Sequence, residues 1–156
     1  MAHGRPVFEH ALAACEALGL RALVVTPFRD QLPAHLGAST MHVNYAPFGL
    51  LLPKLAALVH HGGIGTSAQC LAAGLPQLVT PFAHDQFDNA ARLRRLGVAR
   101  RMAPDADTGV WIEALRGLTQ TAEVASACKH LAHKMASERP AAERIADRIE
   151  ALHVGR

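Results

Sequence analysis

The sequence predicts an α/β fold: a doubly wound parallel sheet with helices on both faces and further helices toward the C-terminal end. Half of the 156 residues are apolar, enough for a substantial core, while aromatics make up only 4%, which suits helices packed on a sheet better than a β-sandwich. Short apolar runs closed by proline or glycine alternate with stretches of helical periodicity. The connections between them are only a few residues long, as in strand–helix–strand units.

Phe8, Leu12, Cys15 and Leu18 recur at helical spacing after Pro6, and Gly19 stands where a helix C-cap would, so residues 5–18 form a helix. "RALVVTP" follows as a buried strand, partly β-branched and closed by proline. "MHVNYAP" alternates like a second strand, "FGLLLPKL" is a short helix or turn, and "AALVHH" is a third strand. A helix over 66–73, the strand "PQLVTP", a helix over 86–96 and a short strand near "VARRM" complete the alternation. Beyond Pro104 only helices are expected, marked by Trp111, Leu115 and Leu118, then Val124, Cys128, Leu131 and Met135, then Ile145, Ile149 and Leu152. No repeat, low-complexity tract or linker-like stretch divides the chain, so residues 1–156 are expected to form one domain.

The opening is unusual for such a sheet, whose first strand is normally central. This sequence starts with "MAHGRP" and a helix. Either the strand lies outside these residues, or the opening segment is not the helix start it resembles, or another molecule fills the gap.

A formal net charge of +3, with acidic residues interspersed among the basic ones, does not argue for a nucleic-acid or membrane partner. The dense patch "RLRRLGVARR" keeps a basic nucleic-acid-binding domain as an alternative, through Arg92, Arg94, Arg95, Arg100 and Arg101. A solvated helix face is the simpler reading, because Arg92 and Arg95 lie at helical spacing opposite Leu93 and Leu96. Cys15, Cys70 and Cys128 form no C-x-x-C pair and are odd in number, which fits a reducing, cytoplasmic setting. No signal segment and no apolar stretch of about 18 residues is evident, so a soluble protein is expected.

The chemistry concentrates in "AALVHHGGIGTSAQCLAAGLP". A glycine loop running into a helix N-terminus is a ready anion site, because unpaired N–H groups and the helix dipole converge there. Gly62, Gly63 and Gly65 let the backbone approach a phosphate, Thr66 and Ser67 offer hydroxyls, and His61 adds a donor that a mere tight turn would not need. The pattern is neither G-x-G-x-x-G nor a P-loop. His60 falls on the opposite face of the pleat, where a packed, hydrogen-bonded histidine fits better than half of a metal pair. His130 and His133 have no carboxylate at matching spacing and read as surface residues. Asp85 and Gln86 end the next strand–loop, where a carboxylate beside a carboxamide suits adjacent hydroxyls; Asp85 as a simple helix N-cap is the alternative.

The span "VHHGGIGTSAQCLAAGLPQLVTPFAHDQFDNAARLRRLGV" resembles the nucleotide-sugar-binding signature of GT-B glycosyltransferases, in the bacterial UDP-glycosyltransferase and macrolide-glycosyltransferase-like group. The likeness runs through the glycine loop, the G-x-P turn at 74–76 and the D-Q pair. It implies a Rossmann-like domain, the C-terminal half of a GT-B enzyme, in which His61 and the backbone of Gly62, Gly63, Gly65 and Thr66 hold the donor diphosphate. Asp85 and Gln86 would then grip the sugar, and Gln69 would stand where many members carry a glutamate for the ribose. "NYAPFGLLLP" resembles the segment whose aromatic stacks on the base, with Tyr45 in the place commonly held by tryptophan and the backbone of Ala46 at the base edge.

The implied reaction transfers a hexose from a UDP- or dTDP-sugar to a hydroxyl of a small lipophilic acceptor, with inversion. No cofactor and no metal is implied. The acceptor pocket and the catalytic base belong to an N-terminal domain in this family, so no catalytic residue is expected in this chain, which should bind donor without turnover. "MAHGRP" resembles the segment just after the donor domain's first strand. An alternative is a non-catalytic partner complementing a separately encoded N-terminal half. The last helix, 141–152, would cross to that half, and apolar faces left without it point to self-association as a homodimer.

Overall fold

The computed structural model describes residues 4–139 and 141–154. Met1, Ala2 and His3, half of the "MAHGRP" segment, lie outside them. Helix α1 (Gly4–Ala17) leads into strand β1 (Ala22–Val25), and a 3-10 turn at Arg29–Gln31 precedes β2 (Thr40–Val43). Next come α2 (Phe48–Leu51) with a 3-10 turn at Leu52–Lys54, β3 (Leu58–His60), α3 (Ile64–Ala72), β4 (Gln77–Val79), α4 (Gln86–Arg95) and β5 (Ala99–Arg101). Three helices close the fold: α5 (Thr108–Gln120), α6 (Ala122–Ser137) and α7 (Ala141–Val154).

All strand pairs are parallel, as the alternation of elements predicts. The strands do not join into one sheet, however. β1 pairs with β2, and β3, β4 and β5 pair in that order, with no strand of the described residues between β1 and β3. The described residues therefore hold two separate parallel sheets.

Successive residues of β4 face opposite layers, as a pleated strand requires. Leu78 packs with Val7, Ala14, Trp111, Leu115 and Leu118 beneath α1 and α5. Val79 packs with Ala90, Leu93, Val98 and Cys128 beneath α4 and α6. Leu52, Cys70 and Leu75 make a third cluster under α2 and α3. Full burial of an indole and several aliphatic side chains, each contributing roughly 1.5–3 kcal/mol, holds the helices on both sides of the three-stranded sheet. α1 closes as expected at Gly19, with φ 66° and the Leu20 N–H donating to the Cys15 carbonyl.

Some details differ from the sequence reading. α3 begins two residues earlier than the apolar pattern suggests, at Ile64, so Gly65 and Thr66 lie within its first turn. Leu96, expected on the buried side of α4, is 45% exposed because it caps the helix rather than continuing it. The arginine patch is exposed: Arg92 pairs with Asp88 at 2.7 Å, and the Arg101 guanidinium lies 5.1 Å over the Phe87 ring. No helix among the described residues is long and apolar enough to cross a membrane.

Candidate functional site

The site is built at the carboxyl ends of β3 and β4, where ligands of open parallel sheets bind. At the end of β3 the two histidines part. The Gly62 N–H donates to His60 Nδ1 at 3.1 Å, so Nδ1 is the acceptor and Nε2–H donates to Gln77 Oε1 at 2.9 Å. Burial, opposed by the Gln77 bond and reinforced by His61, pushes the His60 imidazole down to about 4, so it is neutral. With both ring nitrogens committed, His60 braces the loop and has no lone pair left for a metal.

His61 is exposed, its ring 6.4 Å from that of His60 and nearly perpendicular to it. Its Nε2 would stand 2.7 Å from a Cβ at Gly63, so the imidazole is folded against that glycine. Gly62 has φ 93°, and a Cβ there would meet Val79 Cγ1 at 2.7 Å and the Gln86 carbonyl at 3.2 Å. Only glycine fits. Gly63 is the N-cap of α3, which no side chain caps, leaving the first-turn N–H groups without a side-chain partner. Over Gly65 a Cβ would meet nothing within 4 Å, so this face of the turn is open. Thr66 is half-buried and lines the adjoining cavity with His61. Ser67, expected to add a second hydroxyl, is instead buried with its Oγ unpartnered, one helical step away from the open face.

The facing loop is wired to the glycines. Asn89 Nδ2 donates to the Gly62 carbonyl at 2.9 Å and to Asp85 Oδ2 at 2.8 Å. Asp85 stands at the N-cap position of α4 but makes no side-chain cap bond, so simple capping is not its role. Gln86 Oε1 accepts from the N–H groups of Phe82 and Ala83 at 2.8 and 3.2 Å, leaving its Nε2 as the group free to reach outward. Between them His84 is held at φ 56°, a left-handed conformation that is strained for a side-chain-bearing residue.

Gln69 is exposed one turn along α3, with Nε2 near the Gly65 carbonyl at 3.4 Å. Tyr45 is 78% exposed in the turn between β2 and α2, and Ala46 beside it is half-buried. Phe48, three residues on, lines the same cavity as His61 and Thr66, while Tyr45 and Ala46 are not among its lining residues.

Residues 22–152 match the family described as erythromycin biosynthesis protein CIII-like, C-terminal domain. The chain belongs to this family. Among curated relatives of this CIII-like domain, the O-mycaminosyltylonolide 6-deoxyallosyltransferase of Streptomyces fradiae is 38% identical over 135 residues, covering 84% of this chain and 31% of the relative. The elloramycin glycosyltransferase of Streptomyces olivaceus is 35% identical over 140 residues, covering 88% and 34%. The chain thus spans about a third of the length of these relatives. Among solved structures, the glycosyltransferase SnogD from Streptomyces nogalater superposes with a TM-score of 0.74 at 28% identity, over 96% of this chain and 39% of that one. The spinosyn rhamnosyltransferase SpnG complexed with thymidine diphosphate gives 0.77 at 26%, over 86% and 38%. These are GT-B glycosyltransferases, and the CIII-like domain has the α/β fold of their C-terminal half.

Sequence reasoning did not single out Asn89, Gln77 or His84. Asn89 lies four residues after Asp85, one helical turn, and that spacing was the signal available for it. Gln77 is an amide inside an apolar strand, which itself asks for a buried partner. Nothing in the sequence marks the backbone of His84.

Proposed function

We propose that this chain is the nucleotide-sugar donor-binding half of an inverting glycosyltransferase that moves a hexose from a UDP- or dTDP-sugar to a hydroxyl of a small lipophilic acceptor. The observation that carries the reading is the uncapped N-terminus of α3, opened by glycines and overhung by His61, at the carboxyl edge of the sheet. Negative charge grows on the leaving diphosphate as the glycosidic bond breaks, and donors already aimed at that position stabilise it more in the transition state than in the ground state. His61 and the backbone of Gly62, Gly63, Gly65 and Thr66 fill that role, and no metal is needed.

Asp85 and Gln86 hold the sugar, through the carboxylate oxygen that Asn89 leaves free and through the Gln86 Nε2. Tyr45 and Ala46 receive the base, and Gln69 the ribose. The acceptor and its general base come from an N-terminal domain, fused or separate, so these 156 residues alone bind donor without turnover. The setting is the bacterial cytoplasm, where Cys15, Cys70 and Cys128 remain thiols. The exposed stripe of Ile145, Ile149 and Leu152 on α7 supports contact with that domain, or with a second copy of the chain as a homodimer.

Calorimetric titration with dTDP and with UDP in the presence of EDTA tests the reading, with His61→Ala in parallel. Saturable, EDTA-insensitive binding that weakens at least about tenfold in the variant is expected. Binding that needs a divalent cation, or that is unchanged in His61→Ala, would refute it.

A further inference from the structure

Gln77 opens β4, and its side chain is fully buried in a strand whose other residues, Leu78 and Val79, pack into apolar clusters. An apolar side chain of similar size would fill this place without having to find partners. The amide finds only one. Gln77 Oε1 accepts from His60 Nε2 at 2.9 Å, while Gln77 Nε2 is buried with no hydrogen-bond partner among the described residues. The oxygen is therefore the half of the amide that the structure uses.

What that oxygen fixes is the tautomer of His60. Which nitrogen of a neutral imidazole carries the proton is set by the hydrogen bond that the other groups around it make. An acceptor at Nε2 keeps the proton there and leaves the Nδ1 lone pair for the Gly62 N–H, 3.1 Å away. With the proton on Nδ1 instead, two N–H groups would face each other and the Gly62 peptide would turn away. Gly62 stands at φ 93°, and its carbonyl accepts from Asn89 Nδ2 at 2.9 Å. The two bonds together set both peptide planes of the residue that leads into the head of α3.

We propose that Gln77 is a positioning residue for the diphosphate site: it holds His60 in the Nε2–H tautomer, so that the Gly62 N–H stays turned inward and the unpaired amides at the head of α3 stay turned toward the ligand. Gln77 touches no ligand itself, being fully buried, and acts only through His60 and Gly62. The identity of the ligand rests on the donor reading; the tautomer rests on the hydrogen bonds alone. One consequence separates this role from plain packing. Position 77 should matter to binding only while residue 60 is an imidazole. A His60→Asn side chain offers an amide oxygen where Nδ1 stood, accepts from Gly62 without a choice of tautomer, and has no need of Gln77.

The test is a double-mutant cycle on the whole chain, with the ring nitrogens of ¹⁵N-labelled histidine as a second readout. In the parent, His60 is expected to show a protonated Nε2 and an unprotonated Nδ1; in Gln77→Leu both resonances should move toward intermediate positions as the tautomers mix. Calorimetric dTDP affinity should fall about tenfold for Gln77→Leu in the parent background, and by less than about twofold for the same change made in His60→Asn. Gln77→Met, of the same length but without the amide oxygen, repeats the comparison if Gln77→Leu does not fold. An unchanged His60 tautomer without the amide, or an equal loss of affinity in both backgrounds, would overturn the proposal. The ring spectrum needs no ligand, so a parent that fails to bind dTDP counts against the donor reading while the tautomer result still decides this one.

Discussion

Asn89→Ala is the most informative single substitution, because one side-chain amide joins the glycine loop to the carboxylate proposed for the sugar. The Gly62 carbonyl sits in a buried residue, and leaving it without the 2.9 Å bond costs about 1–3 kcal/mol. The second bond, to the exposed Asp85 carboxylate at 2.8 Å, adds only about 0.5–1 kcal/mol, because water can replace it. The sum, about 1.5–4 kcal/mol, corresponds to a fall in Tm of roughly 3–15 °C for a chain of this size. Thermal denaturation of Asn89→Ala beside Asp85→Ala separates the two bonds, since the second variant removes only the exposed acceptor and should lose about 1 kcal/mol or less. The loop, no longer tied, must order on binding, so dTDP affinity is expected to drop about tenfold in Asn89→Ala. A variant within about 1 kcal/mol of the parent with unchanged dTDP affinity would refute the reasoning.

Gly62→Ala and Gly65→Ala should divide stability from binding. The first forces a methyl to 2.7 Å from Val79 at φ 93° and is expected to cost about 2–4 kcal/mol in urea unfolding. The second meets nothing within 4 Å and should leave stability the same or slightly higher while weakening dTDP binding. Because His60 is held near pKa 4 when folded, against about 6.5 unfolded, its contribution is fully present above pH 6.5 and is lost as pH falls toward 4. The unfolding free energy of the parent should therefore fall by up to about 3 kcal/mol more than that of His60→Asn over this window; parallel curves would contradict the buried brace. Removing residues 140–156 deletes α7, whose Ile145, Ile149 and Leu152 are 59, 62 and 73% exposed and which makes no extensive packing with another element among the described residues. Tm should change by less than about 2 °C, and sedimentation should show less self-association.

The parts of the fold that could be read from sequence are those in which local pattern and tertiary environment agree. "PQLVTP" is a strand buried throughout and "RALVVTP" one buried in part, and in both a short apolar β-branched run closed by proline leaves no room for a helical face. His60 could be assigned as a packed histidine because the pleat alone separates it from His61, and the Gln77 bond bears this out. α3 starts ahead of the residue its sequence pattern suggests because Gly63 and Gly65 are poor helix formers, and the turn forms through the Ser67 N–H bond to the Gly63 carbonyl instead. Ser67 could not be told from Thr66 without knowing the helix phase, and a two-residue shift in the start rotates one of them inward. The Asn89 bridge and the inward use of the Gln86 oxygen are long-range pairings across separate loops, which no window of sequence contains.

The central claim is that a nucleotide diphosphate rests on the glycine turn at the head of α3. Labelling the chain with ¹⁵N-glycine places reporters at 12 positions, and a titration with dTDP reads them one by one. The amides of Gly62, Gly63 and Gly65 are expected to shift and saturate together, while those of Gly19, Gly74 and Gly97, which follow the C-terminal ends of α1, α3 and α4 at the opposite edge of the strands, stay in place. Saturating dTDP that leaves the three loop glycines unmoved, or that moves the distant ones instead, would contradict the account.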